Sequence, residues 1–428
     1  MSLLTPIVPS TDHCALSALA SILLAVSGLV GCDVADDPSQ EALATHHHHK
    51  ADDSRTDDKV DGKKREPDGK RDERQDGKQD GKQEGKEEGK HRQKRDEQSV
   101  QANAAESTSS PSSGVRWYAT LHDAGARDPV TGQESVFGFG SDGRAAGGVL
   151  AKVPDATGEL QDFRGMLGLS DGSLLVIAAW KHNTEILRFG PPGDDARRPF
   201  VGVFTRDSDA NPLLVHPYCM TVGPDGSIYV SNQDSNTVTR YGAPGTPDEG
   251  KPLGRDGRPE VGTKNAGLVV PSRDMSKDGI KEVRGIAFAP DGTLLVADRG
   301  KGEVTRWDVA RGTRLAVLAS KNDGIETPIQ LLIGPDGRTI YISDNKRNAV
   351  FTLETAGGAP RVFLDENAGI DAGSSLAIQD GHLYVGSRKA RAILRFRLED
   401  GAPDPQPFIA DLPDNPEFFL PNPAEVRP

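Results

Sequence analysis

The sequence predicts an all-β domain assembled from repeated four-stranded units, and three observations carry that prediction. A turn phrase recurs at Gly223-Pro224-Asp225-Gly226, Ala289-Pro290-Asp291-Gly292 and Gly334-Pro335-Asp336-Gly337, with shorter echoes at Asp171-Gly172 and Asp380-Gly381. Each copy separates two short apolar runs, and a polar loop then leads to a third. The copies return at a period of roughly 45–65 residues, as in a repeat array. Pro presets φ, Asp caps the turn through its side chain and Gly takes the positive φ of a tight reversal, so each unit opens with a hairpin. Units of four antiparallel strands at this period are propeller blades: no single blade closes its own core, and radial stacking leaves only short edges exposed. The expected fold is a six-bladed β-propeller after a disordered N-terminal region.

Taken in order, the strand pairs after each turn are Leu174–Val176 with Ile186–Phe189, Ile228–Val230 with Val238–Tyr241, Leu294–Val296 with Val304–Trp307, Ile340–Ile342 with Val350–Leu353, and Leu383–Val385 with Ile393–Phe396. Weaker fourth strands follow at Phe200–Phe204, Arg314–Leu318 and Arg361–Leu364. A sixth unit arises if the chain closes on itself, with the segment from Phe418 to Val426 joining Trp117–Leu121, Ser135–Phe139 and Gly147–Val153. Such closure removes an edge that would otherwise template aggregation. A seventh unit stays open as an alternative, because Gly242–Lys281 is longer than one blade remainder needs.

The run Arg284-Gly285-Ile286-Ala287-Phe288-Ala289-Pro290-Asp291-Gly292-Thr293-Leu294-Leu295-Val296-Ala297-Asp298, continuing to Val304-Thr305-Arg306-Trp307, resembles an NHL repeat. Blades of this kind are similar to those of gluconolactonase-like and streptogramin-lyase-like propellers. The resemblance covers the chain from Val115 onward. It implies a fold that hosts many activities, so function must be read from a site.

Two segments precede the blades. Residues 1–32 carry an apolar run from Ala15 to Val30 that ends Leu29-Val30-Gly31-Cys32. That is short for a membrane span and suits a secretory signal. The small residue before Cys resembles a bacterial lipoprotein processing box, which implies acylation of Cys32 and a chain lipid-anchored to a membrane of the cell envelope. No Lys or Arg precedes the run, a departure from the usual signal. Residues 33–113 are low in complexity and nearly free of aliphatic side chains, so they cannot offset the entropy of ordering. Between Lys50 and Glu97 sixteen charges of each sign interleave. The four-residue rhythm of Asp76-Gly77-Lys78-Gln79 would suit a helix, but each Gly costs about 1 kcal/mol relative to Ala. A disordered tether with a reach on the order of 50 Å is the expectation. His46-His47-His48-His49 inside it resembles an engineered tag, but its internal position argues otherwise, and four consecutive imidazoles could hold a transition metal weakly.

The domain from 114 to 428 and the segment just after Cys32 carry the acidity behind the net charge of −13, since the charges between Lys50 and Glu97 cancel. That excludes nucleic acid as the expected partner. Of the three cysteines, Cys14 leaves with the signal and Cys32 is acylated, so Cys219 has no disulfide partner. Gly-x-Ser-x-Gly and Walker-type strings are absent.

If the Asp-Gly turns share one face, the strand starts and the loops after each second strand share the other. Arg164, Tyr218, Arg284, Gln330 and Ser374 then face the central channel, and the loops bring Trp180–Asn183, Asp234, Arg299, Lys301, Lys346, Arg347, Arg388, Lys389 and Arg391 to the same mouth. Arg164, Tyr218, Arg284, Arg299, Lys301, Lys346, Arg347 and Arg388 are the expected ligand-binding residues, for an anionic ligand or an acidic envelope protein. The plainer account of the loop charges is solvated turn chemistry, with Asp298 and Asp344 bonding the backbone. The alternative is a metal-dependent lactonase or lyase. A calcium-dependent lactonase needs oxygen ligands in the channel, where only Glu425 offers an acid if the last strand is aligned correctly. A lyase needs a general base, for which His182 and His216 are candidates. No catalytic residue, metal ligand or cofactor is expected under the binding reading.

Overall fold

The computed structural model describes residues 114–122, 127–154, 161–179 and 184–423; the signal, the tether, the loop at Trp180–Asn183 and Glu425 lie outside them. Six sheets radiate from a central axis. Blade one combines Asn415–Pro421 with Trp117–His122, Phe137–Phe139 and Ala145–Gly148. Blade two is Phe163–Gly168, Leu174–Ala178, Glu185–Phe189 and Phe200–Arg206, and blade three is Pro217–Val222, Ile228–Asn232, Thr237–Tyr241 and Leu268–Val270. Blade four is Val283–Phe288, Leu294–Asp298, Glu303–Asp308 and Thr313–Ala319, and blade five is Pro328–Ile333, Thr339–Asp344, Ala349–Glu354 and Arg361–Leu364. Blade six has Gly373–Gln379, His382–Ser387 and Ala392–Arg397. The first-named strand of each blade lies innermost and packs against its counterparts on both sides, which closes the ring.

The propeller has six blades and not seven. The long stretch after Tyr241 forms no extra sheet. It makes reverse turns at Gly245, Gly250, Gly257 and Gly262, all at positive φ, before Leu268–Val270 completes blade three. The excursion fills the outer gap between blades, where Glu249 pairs with Arg188 at 2.8 Å. The closing strand also differs from expectation, spanning Asn415–Pro421 rather than starting at Phe418. Blade six lacks a regular fourth strand. Pro403, Pro405 and Pro407 have no N–H for the ladder, and only isolated bridges at Ile393–Ile409 and Phe396–Pro403 cover that edge.

The Asp-Gly turns fold as their chemistry requires. In blade three the N–H of Gly226 donates to Gly223 O (2.9 Å), Oδ1 of Asp225 accepts from Ser227 N (3.1 Å), and Gly226 has φ 77°. Blades four and five repeat this at Asp291 and Asp336. Each inner strand also carries a register shift near its start, for example between Val283 and Ile286. Two residues there oppose one, which bends the strand and turns side chains into the channel.

Candidate functional site at the channel mouth

The register shifts bring one residue per blade to the same level at the end of the channel opposite the Asp-Gly turns. In blades one to six these are Glu417, Arg164, Tyr218, Arg284, Ile329 and Ser374. Gln330 sits one step deeper, level with Gly165, Cys219 and Gly285, and its Nε2 approaches Cys219 Sγ at 4.0 Å. The strand starts therefore do contribute an acid, contrary to expectation, and it is Glu417 rather than Glu425. The signal was present in sequence: Pro217 and Pro328 open their inner strands, Pro416 is the second residue of its own, and aligning the three puts Glu417 level with Tyr218.

Glu417 is 1% exposed. Its Oε1 lies 3.3 Å from Nη1 of Arg164 and its Oε2 3.3 Å from Nη2 of Arg388. Arg164 also donates to Oδ2 of Asp162 at 3.0 Å. Burial works against the Arg164 charge, but Glu417 and Asp162 outweigh it and hold the guanidinium above its ordinary range. Asp162 is a hub. Besides Arg164 it faces His216 Nε2 at 3.5 Å and His122 Nδ1 at 3.8 Å, while the other nitrogen of His216 faces Asp234 at 3.3 Å. Burial would raise the Asp162 carboxyl, yet His216 and the neighbouring charges hold it below the usual range. Asp162 and His216 adopt φ 62° and 50°, a left-handed conformation that Asp and His tolerate better than most side chains. Behind them Glu134 accepts from the N–H groups of Asp162 and Phe163, each at 2.7 Å, and burial pushes its carboxyl up to about 7.

Arg284 differs from Arg164. It is 8% exposed, Nη1 donates to Val283 O at 2.7 Å, and the guanidinium carbon lies 5.5 Å from the centre of the Tyr218 ring. Among the described residues no carboxylate comes within ion-pair distance of it, and Nε and Nη2 make no hydrogen bond. Burial, with the Arg299 charge adding to it, depresses its affinity for a proton. The Tyr218 ring meets Phe418 edge-on at 5.3 Å, which fixes the floor under the cation.

The loop cations reach the same mouth but are matched locally. Lys346 and Arg347 hold Glu326 at 2.5 and 3.5 Å, Arg299 lies 3.8 Å from Glu282, and Lys301 donates to Gly279 O at 2.7 Å. Lys389 pairs with Asp371 at 3.5 Å and Arg391 donates to Leu412 O at 2.8 Å. Asp298 accepts from the N–H groups of Lys281, Glu282 and Lys301, and Asp344 from those of Glu326, Thr327, Lys346 and Arg347. Both acids are loop latches. The structure thus gathers Arg164, Tyr218, Arg284 and Arg388 into one cluster and leaves Arg299, Lys301, Lys346 and Arg347 as a balanced rim. Asp162, His122, Glu134 and Glu417 were missed because their roles depend on contacts between blades.

A catalytic calcium does not fit this constellation. It needs several oxygen ligands, and the acid at channel level is flanked by two guanidiniums that repel a dication. Among the described residues no group of three or more His, Cys, Asp or Glu side chains is arranged to hold a metal.

No family model and no curated protein matches the sequence. Among solved structures, a chain of the nidogen–laminin complex aligns over 72% of this chain and 98% of its own, with 13% identity and a TM-score of 0.50. A 6-phosphogluconolactonase-like protein of Bacteroides uniformis aligns over 68% of this chain and 81% of its own, with 12% identity and a TM-score of 0.44. An inactive virginiamycin B lyase of Staphylococcus aureus with quinupristin aligns over 73% and 94%, with 14% identity and a TM-score of 0.45. At these identities the likeness concerns the fold alone.

Proposed function

We propose that this chain is a non-catalytic binding propeller, tethered to a membrane of the bacterial envelope through acylated Cys32, whose channel mouth takes an anionic ligand or an acidic segment of an envelope protein. The observation that carries the reading is Arg284, a buried cation with no carboxylate in reach among the described residues. Leaving a charge so placed without a counter-ion is costly, and an incoming anion offsets that cost. The matched pairs on the rim contribute little beyond steering. Cation and phenol together suit an anion that enters from solvent.

The test is retention of the full chain on immobilised polyglutamate and on immobilised polyphosphate, compared with Arg284→Glu. Wild type is retained on at least one surface and Arg284→Glu on neither, with the thermal midpoint within a few degrees. Equal retention of the two proteins sinks the reading. Arg388 is unsuitable for this purpose because it also holds Glu417. For the tether, Cys32→Ser should abolish incorporation of labelled fatty acid and move the protein from the membrane pellet to the soluble fraction. Labelling that survives the substitution refutes the anchor.

A lyase or lactonase is the second reading, and His216 favours it, because an imidazole held by a carboxylate is a general-base arrangement. Here, however, both ring nitrogens face carboxylates, which leaves neither aimed at a substrate. His216→Ala separates the two readings: it should abolish turnover under the second and leave polyanion retention intact under the first.

A further inference from the structure

Resting on the anion-binding reading, we infer that the group received at Arg284 is a carboxylate and not a phosphate. Three observations point there. The first is charge. At channel level three guanidiniums, Arg164, Arg284 and Arg388, face two carboxylates, Asp162 and Glu417, and the rim cation Arg299 is matched by Glu282. Among these five groups one positive charge is left over, and Glu134 behind Asp162 adds negative charge above about pH 7, so the mouth neutralises at most a monoanion. A phosphate dianion would leave a surplus negative charge beside Glu417 in a partly desolvated site.

The second is the shape of the free guanidinium edge. Nη1 of Arg284 is committed to Val283 O, which leaves the Nε–Nη2 edge without a partner among the described residues. Two parallel N–H groups on one edge match the two oxygens of a carboxylate. The third is internal precedent. The same mouth already holds one carboxylate between guanidiniums: Glu417 divides its oxygens between Arg164 and Arg388, at 3.3 Å each. Tyr218 adds a phenol whose O–H makes no hydrogen bond among the described residues. Burial keeps that phenol protonated, so it can donate to an anion. The ligand class is therefore a carboxylate on a narrow stem, such as an acidic side chain or a small organic acid.

The experiment follows the thermal midpoint of the full chain as acetate or inorganic phosphate replaces chloride at fixed ionic strength and pH 7.5. The readout is the shift of wild type minus that of Arg284→Gln, which cancels the general effect of each salt. Ligand binding to the native state raises the midpoint in proportion to the logarithm of saturation. The expected result is a specific shift with acetate, at an apparent affinity at least tenfold above that for phosphate. Arg284→Lys, which keeps the charge but loses the fork, should lose most of the acetate shift, and Arg299→Gln should keep it. A phosphate shift equal to or larger than the acetate shift overturns the carboxylate assignment and leaves the anion reading standing. No specific shift with either ion, in a folded protein, overturns both.

Discussion

Glu417 and Glu134 show how one residue type takes opposite roles around the same mouth. Glu417 is enclosed by two guanidiniums, so losing its charge leaves Arg164 and Arg388 facing each other. Breaking a buried pair by removing one partner costs about 3–5 kcal/mol. Glu417→Gln should fall at the lower end, because Arg164 keeps Asp162. A denaturant titration would read this as a lower midpoint at unchanged slope, and the same substitution should strengthen anion retention by freeing a second cation. A midpoint within experimental error of wild type would show that the pair contributes nothing. Among the described residues no guanidinium pairs with Glu134, and its carboxyl is pushed up to about 7 by burial. The fold then keeps a proton that the unfolded chain releases above its ordinary value of 4.5. Stability from this group is full below that value and lost as pH rises through about 7. Between pH 5 and pH 8 the midpoint of wild type should therefore fall relative to that of Glu134→Gln. A constant difference between the two proteins would mean that the carboxyl titrates normally.

At the level of strands and loops, the two faces of each blade differ in what holds them. The Asp-Gly turns are local: Asp291 satisfies Thr293 two residues away, half exposed to solvent. The loop latches at the mouth reach further. Asp344, with no exposed surface, takes four backbone N–H groups from two loops. Bonds to a charged acceptor contribute more than neutral ones, and stripping them leaves several donors unsatisfied. Asp344→Ala should thus cost about 3 kcal/mol or more, against about 1 kcal/mol for Asp291→Ala. Equal losses in chemical denaturation would contradict the distinction. This contrast also explains what the sequence disclosed. Turn chemistry and alternating apolar runs act over a few residues, so the blades were legible without a structure. Latching by Asp298 and Asp344 was legible as a turn habit of Asp. The meeting of Glu417 with Arg164 was not, since it depends on the closing strand's register, and one wrong strand start hid the acid. The third-strand arginines form a similar unseen pattern, with Arg188, Arg240 and Arg306 each reaching the Asp of its own blade's turn.

On the scale of the whole ring, closure decides whether the mouth exists at all. Blade one is assembled from both ends of the domain: Phe418 N donates to Oγ1 of Thr120, 298 positions away in sequence. An aromatic cluster seals the joint with blade six, with Trp117 of blade one tilted against Tyr384 at 4.3 Å and edge-on to Phe408 at 5.9 Å. Each such pair contributes about 0.5–1.5 kcal/mol beyond its buried area. Arg198, which has no exposed surface, ties the same joint to blade two by donating to Tyr118 Oη, Gly172 O, Gly190 O and Asn422 Oδ1. A chain ending at Asp414 would lose the innermost strand of blade one together with Glu417 and Phe418. The freed inner edge of Trp117–His122 is then a template for another chain. Light scattering should show this truncated protein associating where the full chain does not, and both polyanion retention and the acetate-specific shift should vanish. Arg198→Met tests the joint without removing a mouth residue. It removes four hydrogen bonds at the joint, so it should lower the midpoint by several degrees. A truncated chain that stays monomeric and keeps its acetate shift would show that the mouth assembles without the closing strand.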